Sequence, residues 1–289
     1  MHKFSVVIPA YNSAHDIEAA IASAWASHAE AVIVVDDGSS DSTAVKAGGL
    51  GCRVIVQENS GAAAARRVGL QEVATRYVVL LDADDRLVPR GVNDALKVLS
   101  SNENMVAVVG DTQGVSADGS TTLMRVWEEG VDVKSLLRRA ISPGPPGAFV
   151  WITSSLRAAL SDEGIKPLRP RYAEDYETII RGAIRGEIGS VPVVTCLYAV
   201  EGGKSALAPM ASNSSAEDIR RYYSALLNEP IRFRNRGELQ SMAFLRQAYG
   251  TRGASGKAWL YLQAFSRSPL LAPRLFVARR QRRKNGSNH

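Results

Sequence analysis

Residues 31–41 read Ala31-Val32-Ile33-Val34-Val35-Asp36-Asp37-Gly38-Ser39-Ser40-Asp41, and the fold is decided there. The first five form an unbroken apolar, mostly β-branched run, the pattern of a strand buried on both faces. It stops on two carboxylates and a glycine, so the chain leaves the sheet at once. Upstream, Phe4 to Ile8 is a short apolar run stopped by Pro9. His15 to Ala26 then has helical spacing, with Ile17, Ile21 and Trp25 on one face and Ser13 as N-cap. Downstream, Val54 to Val56 and Tyr77 to Leu81 read as strands, spaced by a weak helix from Ser42 to Ala47 and an alanine-rich one from Gly61 to Ala74. Strands alternating with helices specify an α/β fold, a parallel sheet with helices on both faces.

Such sheets bind ligands in the crevice at the carboxyl ends of their strands. Three of the four strands end there in polar or acidic residues: Tyr11 and Asn12, then Asp36 and Asp37, then Asp82, Asp84 and Asp85. An acidic cleft follows. After a fifth strand, Met105 to Val109, regularity falls, and Ser142 to Gly147, with Pro143, Pro145 and Pro146, must be a loop. Tyr172 to Arg185 resumes as a helix and Val191 to Val200 as a strand, with a mobile loop expected at Gly202 to Ser205. Only helical patterns follow Ala216. The expected division is therefore a catalytic domain over 1–205 and a basic, mainly helical region over 206–289.

Composition narrows the class. A chain of 289 residues, 45% hydrophobic and 22% charged, can bury a sizeable core and is neither disordered nor a disulfide-stapled miniature. The net charge of +6 hides an asymmetry: Ala216 to His289 hold 15 basic and 4 acidic residues, whereas the rest holds 20 and 25. Cys52 and Cys196 each sit in an apolar stretch, which reads as two buried thiols in a reducing compartment. No signal peptide is read at the start, because Met1 runs through His2 and Lys3 into a strand pattern. The nearest approach to a membrane span, Pro269 to Ala278, is interrupted by Pro273 and Arg274. A cytoplasmic protein is expected, free or peripheral at the inner face of the membrane.

Four constellations can carry chemistry. Asp82-Ala83-Asp84 directly follows a buried strand and has Asp85 beside it, and three packed acids call for a divalent cation or a basic ligand. Asp36-Asp37-Gly38 reads first as an Asx-type turn. The second carboxylate of that pair could also accept the N3–H of uracil or thymine, a donor that cytosine lacks. Glu174-Asp175 stands at the start of a helix, where acids meet the helix dipole favourably, yet Arg169, Arg171 and Tyr172 precede it. A paired carboxylate with a raised pKa can serve as general base. Glu217-Asp218 is a similar pair, and there the helix-dipole reading suffices. Asn59-Ser60-Gly61, followed by Arg66 and Gly69, is a loop-to-helix junction that could face phosphates.

In this order the residues resemble family 2 of the glycosyltransferases, the inverting nucleotide-sugar enzymes of the GT-A fold. Val6-Val7-Ile8-Pro9-Ala10-Tyr11-Asn12 is similar to the family's first strand and turn, and Val34 to Asp41 to its second motif. Asn59-Ser60-Gly61 with Ala65-Arg66-Arg67-Val68-Gly69 resembles its Asn-x-Gly…Ala-Arg-Asn-x-Gly pattern, with Arg67 in place of the usual asparagine. Leu81 to Asp85 is similar to the metal motif and Glu174-Asp175-Tyr176-Glu177 to the catalytic-base motif, so that the likeness covers roughly residues 4 to 200. It implies a GT-A type, mostly parallel Rossmann-like sheet followed by a helical region. It implies that Pro9, Tyr11 and Asp37 hold the base and ribose of a UDP- or dTDP-sugar, with Arg66 beside the nucleotide. Asp82 and Asp84 would hold the diphosphate through Mn²⁺ or Mg²⁺, and Asp175 would take a proton from an acceptor hydroxyl on a glycan or lipid-linked acceptor.

Some features depart from the pattern. The family's Tyr-Arg-x-His stretch reads Tyr198-Ala199-Val200-Glu201 here, which makes Glu201 a third candidate metal ligand in the histidine's place. The membrane helices of related polysaccharide synthases are not seen, so processive synthesis is not expected. The acceptor pocket is expected around Gly147 to Trp151 and Lys204. The basic C-terminal region reads either as a helical cap or as a peripheral membrane contact, since Trp259, Leu262, Phe265 and Leu270 interleave with Arg267, Arg274 and Arg279. No nucleic-acid module is recognised. Two other readings compete. A nucleotidyltransferase would need a glycine-rich loop after the first strand, where Pro9 to Ser13 stand. A glycosyltransferase-like domain without turnover, binding a nucleotide or a partner, would explain the altered stretch at 198–201.

Overall fold

The computed structural model describes residues 2–127, 130–200, 208–250, 253–273 and 276. Four parallel strands open the chain, joined by three helical crossovers: β1 (Phe4–Ala10), α1 (Ile17–Ala26), β2 (Ala31–Asp36), α2 (Thr43–Gly49), β3 (Arg53–Val56), α3 (Ala62–Gln71) and β4 (Tyr77–Leu80). They lie in the order β3-β2-β1-β4. β1 runs through Pro9 rather than stopping at it. Its odd residues face β4, and the last β4 pairing is Val7 with Leu80, so the missing N–H of Pro9 points past the end of that neighbour. The residues of β1 and β2 divide between two cores. Val7, Ile33 and Val35 face one, while Val6, Ile8 and Val34 face the other. A side chain of this size contributes about 1.5–3 kcal/mol when fully buried, so both cores are strong reasons for the continuous apolar runs.

The second half adds β5 (Arg86–Leu87), α4 (Pro89–Ser101), β6 (Met105–Val115), β7 (Thr121–Met124), α5 (Val133–Arg139), β8 (Phe149–Ile152), α6 (Thr153–Leu160), α7 (Glu174–Ala183) and β9 (Glu187–Ala199). Here antiparallel neighbours join a sheet whose pairings are mostly parallel, as expected. β8 lies between β4 and β6 and is antiparallel to both, β5 and β7 are also antiparallel to their neighbours, and of the added strands only β6 and β9 pair in parallel. Before β8, Gly147 packs against Leu81, just beyond β4, and against Cys196. The chain enters β8 from the carboxyl edge and runs back along β4.

Helix α3 lies unusually close to the sheet. A Cβ on Gly69 would stand 2.5 Å from Val7 Cγ1 and 2.9 Å from Val35 Cγ2, so only glycine permits the approach. Beyond β9 come α8 (Pro209–Leu226), α9 (Arg236–Gly250) and α10 (Ala254–Arg267). Ile219 and Tyr223 of α8 are buried in the same core as Val7 and Phe149. α8 thus continues the core of the catalytic region, although the expected division assigned it to the tail. Glu217 and Asp218 correspondingly stand in mid-helix, not in a first turn. The serines and asparagine at 212–215, poor helix formers, obscured the earlier start. α9 and α10 pack on each other around Leu245, Ala264 and Ala272. No helix among the described residues is long and apolar enough to cross a membrane. Both cysteines are free; Cys196 is buried and Cys52 half-buried.

Candidate active site

The carboxyl edge of β1 and β2 is tied together by short polar side chains. Tyr11 is exposed beyond β1. Asn12 adopts a left-handed φ of 48°, donates its N–H to Ser39 Oγ at 2.9 Å and accepts from Ser40 N at 2.9 Å. Asp36 makes the expected Asx-type turn, accepting from Ser39 N at 3.2 Å. Asp37 is buried and does more than the sequence indicated. Its Oδ1 accepts from Gln57 Nε2 and Ser60 N and its Oδ2 from Gly61 N, all at 2.8 Å. The carboxylate therefore latches the end of β2 to the start of α3. Gly38, at φ +78°, fits under that latch because a Cβ there would meet Asn59 N at 3.1 Å.

Past β4 the three acids divide. Asp82 Oδ1 accepts from Arg66 Nη2 at 2.5 Å. Asp84 is exposed, and partial desolvation and the neighbouring Asp82 carboxylate raise its pKa. Asp85 is fully buried and accepts from Ala199 N at 2.9 Å, pinning the end of β9. Burial first, and Asp82 second, push it up to about 9, so it stands as a neutral acid behind the other two.

Arg66 is the residue whose role the sequence least revealed. It is 8% exposed, and besides Asp82 it reaches Glu174 Oε1 at 3.4 Å across 108 positions of sequence. It thereby joins the turn after β4 to the first turn of α7. Burial works against its charge, but Asp82, Glu174 and Asp175 outweigh that and hold it firmly protonated. One signal was available: Arg66 falls on the buried face of α3 with Gly69 and Leu70, at helical spacing. Asp175 is half-buried next to this pair. Burial and then Glu174 push it up to about 6, against the opposing pull of Arg66 and the Tyr176 N–H.

A cavity of about 640 Å³ opens beside these residues, walled by Arg66, Glu174, Asp175, Phe149, Trp151 and Arg171 among others. Pro9, Tyr11, Asp37, Asp82 and Asp84 do not line it; Arg66, which does, links it to Asp82 at the strand edge. Of the expected acceptor wall, Phe149 and Trp151 line the cavity, while Gly147 packs beneath Leu81. Glu201 and Lys204 lie outside the described residues.

Among the described residues no three His, Cys, Asp or Glu side chains gather as a metal site. Asp82 and Asp84 supply two carboxylate donors. That set fits Mg²⁺ or Mn²⁺ bound together with a ligand's phosphate oxygens, the usual mode for a cation that keeps few protein ligands.

Sequence comparison matches residues 5–146 to the family described as Glycosyl transferase family 2. The succinoglycan biosynthesis protein ExoU of Rhizobium meliloti (strain 1021) is 28% identical over 239 residues, 76% of this chain and 67% of its own length. Three other curated relatives share 30% to 34% identity over 97 to 118 residues, so the match spans only 16% to 34% of their own lengths. The fold resembles that of S. aureus TarS 1–349 in complex with UDP-GlcNAc, at a TM-score of 0.58 and 19% identity over 86% of this chain and 74% of that one. It also resembles the mannosyltransferase PcManGT of Pyrobaculum calidifontis in complex with GDP-Man and Mn²⁺, at a TM-score of 0.56 and 18% identity over 95% and 78%.

Proposed function

Residues 5–146 belong to glycosyl transferase family 2, and from that premise we propose that the chain moves a sugar from a UDP- or dTDP-sugar to a hydroxyl of a glycan or lipid-linked acceptor by one inverting displacement. One observation carries the reading: Arg66 bridges Asp82, on the cleft side, and Glu174, next to the base Asp175. A single buried cation thus ties the donor's leaving group to the proton acceptor.

The acceptor hydroxyl gives its proton to the Asp175 carboxylate as its oxygen bonds to the anomeric carbon. The bond from that carbon to the diphosphate breaks on the opposite face, the diphosphate leaves with the electron pair, and the configuration inverts. The sugar passes through a state of oxocarbenium character, as in glycoside hydrolysis. A carboxyl titrating near 6 is mostly ionised at neutral pH yet basic enough to take the proton, the compromise a general base needs. Mn²⁺ or Mg²⁺, held by Asp84 and Asp82 with the diphosphate oxygens, would offset the charge that gathers on the leaving group. Tyr11 presents an exposed ring to the base, and Pro9 supports the turn that carries it. Asp37 Oδ2 accepts one internal hydrogen bond, which leaves a lone pair for the N3–H of uracil or thymine.

Neighbours of this fold hold UDP-GlcNAc and GDP-Man, so the choice of a UDP- or dTDP-sugar rests on Asp37 rather than on likeness. A role in cell-envelope polysaccharide synthesis is supported by the name of ExoU and by a relative described as teichoic acid poly(glycerol phosphate) polymerase. Work at the inner face of the membrane is supported by Trp259, Leu262 and Leu270, all exposed on or just after α10. The decisive experiment is calorimetric titration of UDP, dTDP, GDP and CDP with and without Mn²⁺. The reading expects Mn²⁺-dependent binding of UDP or dTDP, lost in Asp84→Ala. No binding of any of the four would overturn it in favour of a domain without turnover.

A further inference from the structure

Adjacent arginines on α3 serve different neighbours. Arg66 is committed to Asp82 and Glu174. Arg67 also lines the 640 Å³ cavity, but the charges it feels are Arg169 and Asp162, on the segment between α6 and α7. Arg169 is paired with Asp162 at 2.5 Å, and both are exposed. Arg67 and Arg171 have no ion pair among the described residues; Arg171 lies 5.8 Å from the centroid of the Tyr172 ring. Three carboxylates line the cavity and none is spare for them. Glu174 faces Arg66, Asp175 is the proposed base, and Glu177 accepts from Leu168 N, Arg169 N and Tyr223 Oη.

Arg67 and Arg171 therefore line one concave space without an ion pair among the described residues, beside the Arg169–Asp162 pair. Burial and then Arg169 work against the charge of Arg67, and Asp162 offsets only part of that. Concave low-dielectric walls concentrate the field of such a charge, and guanidinium groups bind phosphate and carboxylate through paired hydrogen bonds. The lining also has an apolar part, formed by Leu80, Phe149 and Trp151 among others. A neutral polar acceptor would use that part and leave Arg67 and Arg171 unmatched.

We propose that the acceptor carries an anionic group, a phosphate or a carboxylate, which Arg67 and Arg171 hold in the cavity beside Asp175 with Arg169 at its rim. The assignment rests on the transferase reading above, because that reading makes Asp175 the base and the cavity the side from which the acceptor comes. The anion belongs either to a lipid carrier's diphosphate or to the glycan, and the chemistry is the same.

The test uses the full chain saturated with UDP and Mn²⁺, titrated with methyl glucoside, glucose 1-phosphate, glucuronate and farnesyl diphosphate. Saturation by UDP is measured first, so failure of the transferase reading appears there and is separate from failure of this one. At least one charged probe is expected to bind tenfold or more tightly than methyl glucoside, and Arg67→Gln with Arg171→Gln should erase the difference. UDP affinity and melting temperature report that the variant is folded. A glucose 1-phosphate or glucuronate preference assigns the anion to the glycan, and a farnesyl diphosphate preference assigns it to the lipid carrier. Equal binding of charged and neutral probes, no binding of any, or a preference that survives both substitutions would overturn the proposal.

Discussion

Helix α7 carries two acid–arginine groups one turn apart, and they are built in opposite ways. Glu177 and Arg181 form the first. Glu177 accepts from two backbone N–H groups and from Tyr223 Oη, and Arg181 donates to the carbonyls of Ala159, Ser161 and Ile165, so the segment between α6 and α7 is pinned from below. Glu174 and Asp175 form the second with Arg66, whose Nε finds no partner; both groups line the cavity. Burial is common to both. The difference is satisfaction: a buried ionic group with every position filled is architecture, whereas one with positions left over is prepared for something that arrives.

Substitutions should separate the two groups, and Asp175→Asn should have the largest effect. It should lower transfer about a thousandfold, the scale of a positioned general base. It should also raise stability, on the order of 1 kcal/mol. The sign follows from the carboxyl's displacement up to about 6. The folded state binds that proton more readily than the unfolded chain, so ionisation destabilises above pH 6 and the amide removes the cost. By the same displacement, wild-type transfer should fall as pH drops below about 6, with a slope of one proton. Turnover and thermal unfolding of the one variant check both signs; a loss of stability would put Asp175 among the architectural acids.

Glu177→Ala should do the reverse, costing about 3 kcal/mol of stability while changing UDP affinity less than twofold. If it abolished nucleotide binding, the division of α7 into two groups would be wrong. Arg66→Met should weaken UDP binding roughly tenfold and move the acid limb of the rate–pH profile up by about one unit, since Asp82, Glu174 and Asp175 would then face one another without a countercharge. Tyr223→Phe should have the smallest effect, about 1 kcal/mol of stability for the loss of a hydroxyl that donates to Glu177 and accepts from Arg181, and no change in turnover.

The pattern of residues made the first group harder to find than the second. Strand β2, the acids at 82, 84 and 85, and Glu174-Asp175 were legible because each is a local pattern: an apolar run, then charge where the sheet ends. The parallel half of the sheet followed from the same alternation. The antiparallel insertion of β8 did not, because it shows only in a distant pairing with β4, of Tyr77 with Ile152 and Val78 with Trp151. Arg181, with its three carbonyl partners, looks in sequence like any charge in a last helical turn. Arg66 looked like a phosphate ligand, and its second partner is 108 residues away. Long-range partners leave no local trace, in either group.

The latch at Asp37 bears on how a loss of nucleotide affinity is to be interpreted. Its carboxylate is shared among Gln57, Ser60 and Gly61 and so organises the residues that lead into α3 and its Arg66. Replacing it would loosen the geometry of the cation twenty-nine positions away along with any contact to the base. A weakened affinity in such a variant would measure the collapse of a scaffold, not the worth of one hydrogen bond to a pyrimidine. Base selectivity at this position is therefore better probed from the ligand's side, by comparing nucleotides that differ only in that donor on an unaltered chain.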